Sequence, residues 1–333
     1  MTHPLNAVSR RAALMGTGAF AVLPLISQAQ QVTASASLQS APDPAAAQLV
    51  AHSDEAQHLT IEVHINKKAF RFVVDTAAER SVIADDVAAA LGLPSAGTVS
   101  INGLTRRLKV PAVIAARVEI GPFQRPDVLM PVLPRALLAA DGYLGLDVIA
   151  DTRVTFDFRN SRLQVEEPAV TAAAPGSTTL AEVRLTGARG YLRVADCLVD
   201  SIASNAFIDT GAEISVGNVS LLNALRQRNR NLQEISTIVL TGVTGGEISA
   251  EVIGVDRIRL QNLSFTNGTL AISDVPDFAT WHLKSRPSLL IGMDYLRQFD
   301  RISIDYRARR AEFELSLAPP KPTPGVEVGT AAA

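Results

Sequence analysis

The chain has 333 residues, of which 47% are hydrophobic and 19% are charged. This composition is typical of globular proteins, and the length predicts about two domains. The 31 basic and 33 acidic residues are dispersed along the chain. The sequence therefore lacks the concentrated positive field that nucleic acid or an anionic membrane surface requires, and we expect no nucleic-acid partner.

The amino-terminal residues 1–29 have the pattern of an export signal. Ser9-Arg10-Arg11 precedes an uncharged, mostly apolar run from Ala12 to Ile26, and Ser27-Gln28-Ala29 supplies a small-x-small cleavage pattern. The paired arginines and the mildly apolar run resemble a twin-arginine signal, which predicts a periplasmic or secreted protein. The alternative is a retained hydrophobic anchor. Because the run is shorter than the ~20 residues that span a bilayer, we expect no stable membrane span in the mature chain.

Two further segments have the composition of flexible chain. Residues 30–56 are rich in Ala, Ser, Gln and Pro, and residues 318–333 are rich in Pro and Ala. The sequence leaves open whether residues 30–56 form a propeptide.

The central part of the chain repeats itself. The pattern Asp-Thr-x-Ala-Glu-x-Ser begins at Asp75 and again at Asp209, each time after a short apolar run. A helix-like run follows each copy, at residues 84–91 and 219–227. The order of strand, acidic residue and helix is thus present twice.

A second pair of landmarks follows in the same order. Gly145-Leu-Asp147 precedes Asp157 in one copy, and Gly292-Met-Asp294 precedes Asp305 in the other. Because four ordered landmarks are hard to obtain by chance, we infer two copies of one module. The predicted copies cover residues 57–170 and 180–317, and residues 171–179 form a linker rich in Ala, Pro and Thr.

The rest of each copy is typical of short β-strands. Asn102-Gly103 lies between apolar runs, which is a strong hairpin signal, and the glycine-rich segment from Gly242 to Gly246 occupies the equivalent place in the second copy. We also predict a short helix after Asp75 and after Asp209, with another near each Gly-x-Asp. The expected fold class is mostly β, with two tandem lobes and short helices.

These landmarks resemble those of the retropepsin-like aspartic proteases. In that family an apolar strand leads into Asp-Thr-Gly-Ala, a glycine-tipped hairpin called the flap follows, and an apolar-apolar-Gly segment passes beneath the aspartate. The second copy matches throughout, whereas the first copy has Ala77 in place of the motif glycine. The resemblance implies two acid-protease lobes in one chain, as in pepsin, with an active cleft between them and a chain that functions as a monomer.

The resemblance implies an aspartic endopeptidase in which Asp75 and Asp209 share one water. As is well established for aspartic proteases, two adjacent carboxylates do not both ionise cheaply, so one acts as a base and the other as an acid. No cofactor or metal is implied. Thr76 and Thr210 are expected to hydrogen-bond the opposite loop. The remaining implied support of the aspartates comes from Ala77, Ala78, Gly211 and Ala212.

The resemblance also implies a substrate that lies extended between the lobes, a peptide or protein bound through its backbone. The two hairpin tips are expected to close over it as flaps. The flap candidates are Asn102, Gly103, Gly242, Gly245 and Gly246.

The main alternative is a protein of the same fold that lacks catalysis and binds peptides or has a structural role. Its support is Ala77, because an added methyl group beneath the two aspartates is expected to displace Asp75.

Other catalytic chemistries lack candidates. The single cysteine, Cys197, excludes an intrachain disulfide and lies in an apolar stretch that predicts burial. The five histidines are not spaced as zinc ligands, and Gly-x-Ser-x-Gly is absent from the sequence. We interpret the duplicated acids as residues that cap turns, and not as metal ligands; they are Asp147, Asp157, Asp294 and Asp305. Whether Trp281 lies in the core or in the cleft stays open.

Overall fold

The computed structural model describes residues 59–168, 179–187, 192–232 and 234–315, together with strands at residues 7–9 and 52–53. The predicted export signal at residues 1–29, apart from residues 7–9, lies outside the described residues. So do most of the segment 30–56, the linker residues 171–178 and the tail 318–333.

The first lobe is built around a sheet that closes on itself. Its elements, in chain order, are β3 (Leu59–Ile65), β4 (Lys68–Val74), β5 (Val82–Ala84), α1 (Asp85–Leu91), β6 (Ser95–Asn102), β7 (Arg107–Ile120), β8 (Phe123–Leu133), α2 (Arg135–Leu138), β9 (Gly142–Leu144) and α3 (Leu146–Ile149). Strand β9 lies between β4, to which it is parallel, and β5, to which it is antiparallel. A pairing of β3 with β7 closes the sheet.

The second lobe repeats this order of elements. They are β13 (Arg193–Val199), β14 (Ile202–Ile208), β15 (Val216–Gly217), α4 (Val219–Arg228), β16 (Glu234–Thr241), β17 (Glu247–Leu260), β18 (Leu263–Ile272), α5 (Pro276–Thr280), β19 (Ser288–Ile291) and α6 (Met293–Leu296). Strand β19 lies between β14 and β15 as β9 lies between β4 and β5, and β13 pairs with β17. The duplication seen in the sequence is therefore a duplication of topology.

Local sequence accounts for several boundaries. The β3–β4 hairpin turns at Asn66 and Lys67, which both have positive φ. Helix α1 ends at Gly92, whose φ of 58° is the left-handed conformation that glycine adopts at little cost. Helix α4 begins after Asn218, whose side chain accepts a hydrogen bond from the backbone N–H of Leu221.

The two lobes share a set of paired strands that continues the sheet of the second lobe. It contains β10 (Arg153–Asp157) and β11 (Arg162–Glu166) from the first copy, and β12 (Thr179–Thr186), β20 (Arg301–Asp305) and β21 (Arg310–Glu314) from the second. Strands β10 and β20 pair antiparallel, and at the centre the hydroxyl groups of Thr155 and Ser303 lie 2.9 Å apart. This sheet fixes the lobes to each other.

One face of the shared sheet carries ion pairs between the copies. Arg153 contacts Glu312 through both guanidinium nitrogens, the closer at 2.6 Å, and Arg301 contacts Asp157 at 3.0 Å. Asp157 and Asp305 also accept hydrogen bonds from backbone N–H groups of the turns that follow them, at Asn160 and Ala308. These two acids therefore stabilise hairpins, as the sequence predicts.

Two short strands, β1 (Ala7–Ser9) and β2 (His52–Ser53), pair with β16 and β3 respectively. The predicted fold class, mostly β with two acid-protease lobes and short helices, is confirmed. None of the helices in the described part of the chain is long and apolar enough to cross a membrane.

Candidate active site

Each motif aspartate lies at the carboxyl end of a buried strand. Asp75 follows β4, and its backbone N–H donates to the carbonyl of Leu144 at 2.9 Å. Asp209 follows β14, and its N–H donates to the carbonyl of Ile291, also at 2.9 Å. Because β9 and β19 run beneath the aspartates in the same way, the two motif loops begin with the same backbone geometry.

A serine and an aspartate hold each motif loop in place. In the first lobe, the N–H and hydroxyl of Ser81 both donate to Asp147 Oδ1, and the N–H of Gly145 donates to the Ser81 hydroxyl. In the second lobe, the N–H of Ser215 donates to Asp294 Oδ2 and its hydroxyl donates to Asp294 Oδ1, and the hydroxyl accepts from the N–H of Gly292. The sequence predicts a turn-stabilising role for the two acids but assigns none to the serines, although both end the repeated pattern.

Two threonines connect the lobes directly beneath the aspartates. The Thr76 hydroxyl donates to the carbonyl of Ile208 at 2.7 Å and accepts from the N–H of Thr210 at 3.1 Å. Reciprocally, the Thr210 hydroxyl donates to the carbonyl of Val74 at 2.8 Å and accepts from the N–H of Thr76 at 3.2 Å. This is the contact between opposite loops that the family resemblance implies, and it fixes the two loops relative to each other.

The carboxyl groups of Asp75 and Asp209 meet at the backbone of Gly211. The Gly211 N–H donates to Asp209 Oδ1 at 3.0 Å, and a side-chain carbon at Gly211 would overlap the carboxyl carbon of Asp75. Both aspartates are buried, with 6% of Asp75 and none of Asp209 exposed. Glycine is therefore required at position 211 by a close approach of the opposite carboxyl group.

Ala77 occupies the glycine position of the first loop without loss of its hydrogen bond. Its N–H donates to Asp75 Oδ1 at 2.9 Å, as that of Gly211 does to Asp209. The N–H of Ala78 also donates to Asp75 Oδ1 at 2.9 Å. Ala77 and Ala78 are half-buried, whereas Gly211 and Ala212 are fully buried. The first loop is thus the more open of the two.

The two predicted flaps contact each other. The hairpin between β6 and β7 includes Gly103, where a side-chain carbon would overlap Thr244 of the hairpin between β16 and β17. The Arg106 guanidinium donates to the Thr244 carbonyl at 2.9 Å and 3.1 Å, and the Thr105 hydroxyl donates to the Gly245 carbonyl at 2.7 Å.

The remaining flap candidates lie in the same two hairpins. Asn102 donates through its amide to the Thr280 hydroxyl at 3.0 Å, and Gly242 packs against Leu104, which is 2% exposed. Gly245 and Gly246 both have positive φ, as a tight hairpin tip requires. The sequence predicts these tips from their glycines but contains no local signal for the contacts of Arg106 and Thr244.

A pocket of about 120 Å³ opens beside Asp75. Residues of the first loop and first flap form one side of it. Asp277 of helix α5 and Trp281, which follows that helix, form the other side. The Trp281 ring also stacks on Phe207, with ring centroids 4.4 Å apart. Trp281 therefore lies at the boundary of core and cleft, which answers the question that the sequence leaves open.

The structure offers no second reactive group among the described cysteine, metal-ligating and tyrosine side chains. Cys197 is buried, and burial raises the pKa of its thiol to about 12, so it is not poised as a nucleophile. Among the described residues, no group of three or more His, Cys, Asp or Glu side chains is arranged to hold a metal ion. Tyr306 is buried near the site, where desolvation and the charge of Asp75 raise the pKa of its hydroxyl.

The chain was compared with known proteins. A family model described as aspartyl protease matches residues 61–148 and again residues 195–295. The comparison with curated proteins gave no match. The two matched regions together cover more than half of the chain, and they coincide with the two lobes. The chain therefore belongs to the aspartyl protease family, with the retropepsin-like module present twice.

Proposed function

We propose that the chain is an aspartic endopeptidase in which Asp75 and Asp209 activate one shared water. Membership of the aspartyl protease family supports a protease function in general. The finer assignment is supported by one observation above all: the reciprocal contacts of Thr76 and Thr210 join two equivalent loops whose carboxyl groups meet at Gly211.

The proposed reaction needs one proton on the pair of carboxyl groups. The ionised carboxylate takes a proton from the water, and the water oxygen attacks the carbonyl carbon of the peptide bond. The protonated partner donates a hydrogen bond to the oxyanion that forms. As the C–N bond breaks, a proton passes to the leaving nitrogen, and the products are a carboxylic acid and an amine.

The substrate is proposed to be a peptide or protein segment in extended conformation, bound between the dyad and the flaps by a chain that acts as a monomer. Ile101, Asn102 and Val243 of the flap hairpins line the pocket beside Asp75, and extended peptides bind well along the edges of such hairpins. The proposal requires that the two flaps, which Arg106 joins to Thr244, lift together when substrate enters and close over it again.

Two asparagine variants test this assignment. Asp75→Asn and Asp209→Asn should each lower kcat for an unstructured peptide pool by about 1000-fold or more, because neither amide can act as base or acid. Asp127→Asn is the matched control, since Asp127 is exposed and its positive φ suits asparagine equally well. Near-normal turnover in either dyad variant, with the fold intact by circular dichroism, would exclude a shared water.

The second candidate function is a peptide-binding or structural protein of this fold without catalysis. Its support is the sequence departure at Ala77, which stands where the family motif has glycine, although the Ala77 N–H keeps the hydrogen bond to Asp75. In that case the wild-type protein binds the peptide pool without cleaving it, and binding persists in both asparagine variants.

We further propose that the protein is exported to the periplasm or secreted by the twin-arginine route, and this rests on the sequence of residues 1–29 alone. Substitution of Arg10 and Arg11 by lysine should retain the protein in the cytoplasm. Unimpaired export of this double variant in cell fractionation would rule the route out.

A further inference from the structure

One glutamate of the repeated pattern has different surroundings in the two lobes. In the second lobe, Glu213 is paired with Arg297, whose two terminal nitrogens lie 2.9 Å and 3.2 Å from the carboxylate oxygens. Arg297 follows Asp294 by three residues, and the residue that follows Asp147 by three in the first lobe is Ala150. The first copy therefore lacks the arginine that neutralises the glutamate in the second.

Glu79, the first-lobe counterpart of Glu213, is exposed and lines the pocket beside Asp75. Among the residues that the structure describes, its carboxylate forms no ion pair, whereas that of Glu213 is 12% exposed and paired. A carboxylate that stabilises the fold in one lobe is thus available to a ligand in the other.

The pocket combines an apolar wall with acidic groups. Val82, Ile101 and the indole of Trp281 supply the wall, and Asp277 adds a second carboxylate besides Glu79. The pocket is also lined by one cationic residue, Arg80, which lies close enough to Asp147 to stabilise that carboxylate. With Asp75 included, the carboxylates outnumber the guanidinium, so the field in the pocket favours a cation.

We propose that this pocket binds a lysine or arginine side chain of the substrate near the scissile bond, with Glu79 as a specificity-determining residue. The long apolar stem of such a side chain packs against Val82 and Ile101 while its cation reaches the carboxylate. The Trp281 ring adds a favourable surface for a cation. An acidic substrate side chain meets repulsion at the same place. The proposal rests on the proposed function, because it takes the occupant of the pocket to be part of a cleaved peptide.

The asymmetry predicts a preference on one side of the cut only. Arg297 neutralises the equivalent glutamate of the second lobe, so the other half of the cleft lacks the same free carboxylate. Cleavage of a peptide library, read by mass spectrometry, should show Lys and Arg enriched within about three residues of the cut on one side and not on the other. Absence of any basic enrichment would overturn the proposal.

Charge variants assign the preference to Glu79. For a peptide pair that differs only in lysine against norleucine, the ratio of kcat/KM values should fall about threefold to tenfold in Glu79→Gln, as expected for a partly exposed ion pair. Glu79→Lys should invert the preference in favour of a glutamate-containing peptide. Glu167→Gln, a change at an exposed glutamate outside the pocket, is the matched control. An unchanged ratio in both Glu79 variants would contradict the role of this residue.

A binding measurement separates this inference from the proposed function. Fluorescence anisotropy of the same two peptides with the Asp209→Asn variant reports recognition without turnover. Tighter binding of the lysine peptide, weakened by added salt, supports the inference even if the wild-type protein fails to cleave anything. Equal binding of the two peptides overturns the inference even if the wild-type protein is an active protease.

Discussion

The two motif loops have the same backbone and different surroundings. The backbone N–H of each aspartate donates to a carbonyl of the strand beneath it, and both loops are held by a serine and an aspartate. The surroundings differ. In the loop of Asp209 the residues next to the aspartate are buried and Glu213 is neutralised by Arg297, whereas the loop of Asp75 lines a pocket and exposes Glu79 and Arg80. The two copies therefore share the backbone geometry of the motif loops and differ in the burial and charge of the side chains around them.

Among changes that compare the two motif loops, the largest loss of activity is expected when alanine and glycine are exchanged at their glycine position. Gly211→Ala places a methyl group where the Asp75 carboxyl lies, so the carboxyl must move, and we expect kcat/KM to fall about 100-fold or more. Ala77→Gly should change kcat/KM less than about threefold, because Ala77 is half-buried and already makes the required hydrogen bond.

The two changes are controls for each other, since each adds or removes one methyl group at equivalent positions. Steady-state kinetics on one peptide measures both. Equal losses in the two variants would mean that the loops are equivalent and that the asymmetry of burial has no catalytic consequence.

A smaller effect, on stability, is expected from the two threonines that occupy equivalent places in the motif loops. Thr76→Val and Thr210→Val each remove a hydroxyl that donates to a carbonyl of the opposite lobe and accepts from the N–H of the opposite threonine, so each variant loses two buried hydrogen bonds between the lobes. Each should lower the free energy of unfolding by about 1–3 kcal/mol, measured by urea denaturation. Thr→Ser at either position keeps the hydroxyl and is the matched control. If only one of the two valine variants loses stability, the two halves of the contact contribute unequally to the free energy of unfolding.

The smallest effect concerns the flaps. Arg106→Ala removes both hydrogen bonds to the Thr244 carbonyl, so the first flap should order less well over the substrate and KM should rise about threefold to tenfold. The exposed neighbour Arg107 provides the control variant Arg107→Ala. A fall in KM would instead indicate that the contact between flaps holds the cleft closed against substrate.

Local sequence signals predict most of the fold correctly. The helix expected at residues 84–91 is α1, because the acidic residues at its start and Gly92 at its end act within one turn. The hairpin tips at Asn102-Gly103 and Gly242–Gly246 follow from residues that favour tight turns. These features depend on neighbours in sequence, which is why pattern and composition are sufficient to find them.

The parts that the sequence does not predict depend on residues far apart in the chain. The shared sheet pairs β10 with β20, which lie in different copies, and neither strand carries a signal for its partner. The contacts of Arg106 with Thr244 and of Glu213 with Arg297 are of the same kind. At the site itself, the repeat identifies Asp75 and Asp209, but the close approach of Gly211 to the opposite carboxyl group requires the folded arrangement of both lobes.

The measurement that tests the shared dyad most directly is the pH dependence of kcat/KM on an unstructured peptide pool. The proposed reaction needs one proton on two adjacent carboxyl groups, so activity should fall both when that proton is lost and when both groups are protonated. We therefore predict a bell-shaped profile, centred at roughly pH 4 to 6. A single-sided profile, or an optimum below about pH 3 or above about pH 8 while the fold stays intact, would contradict one proton shared by Asp75 and Asp209.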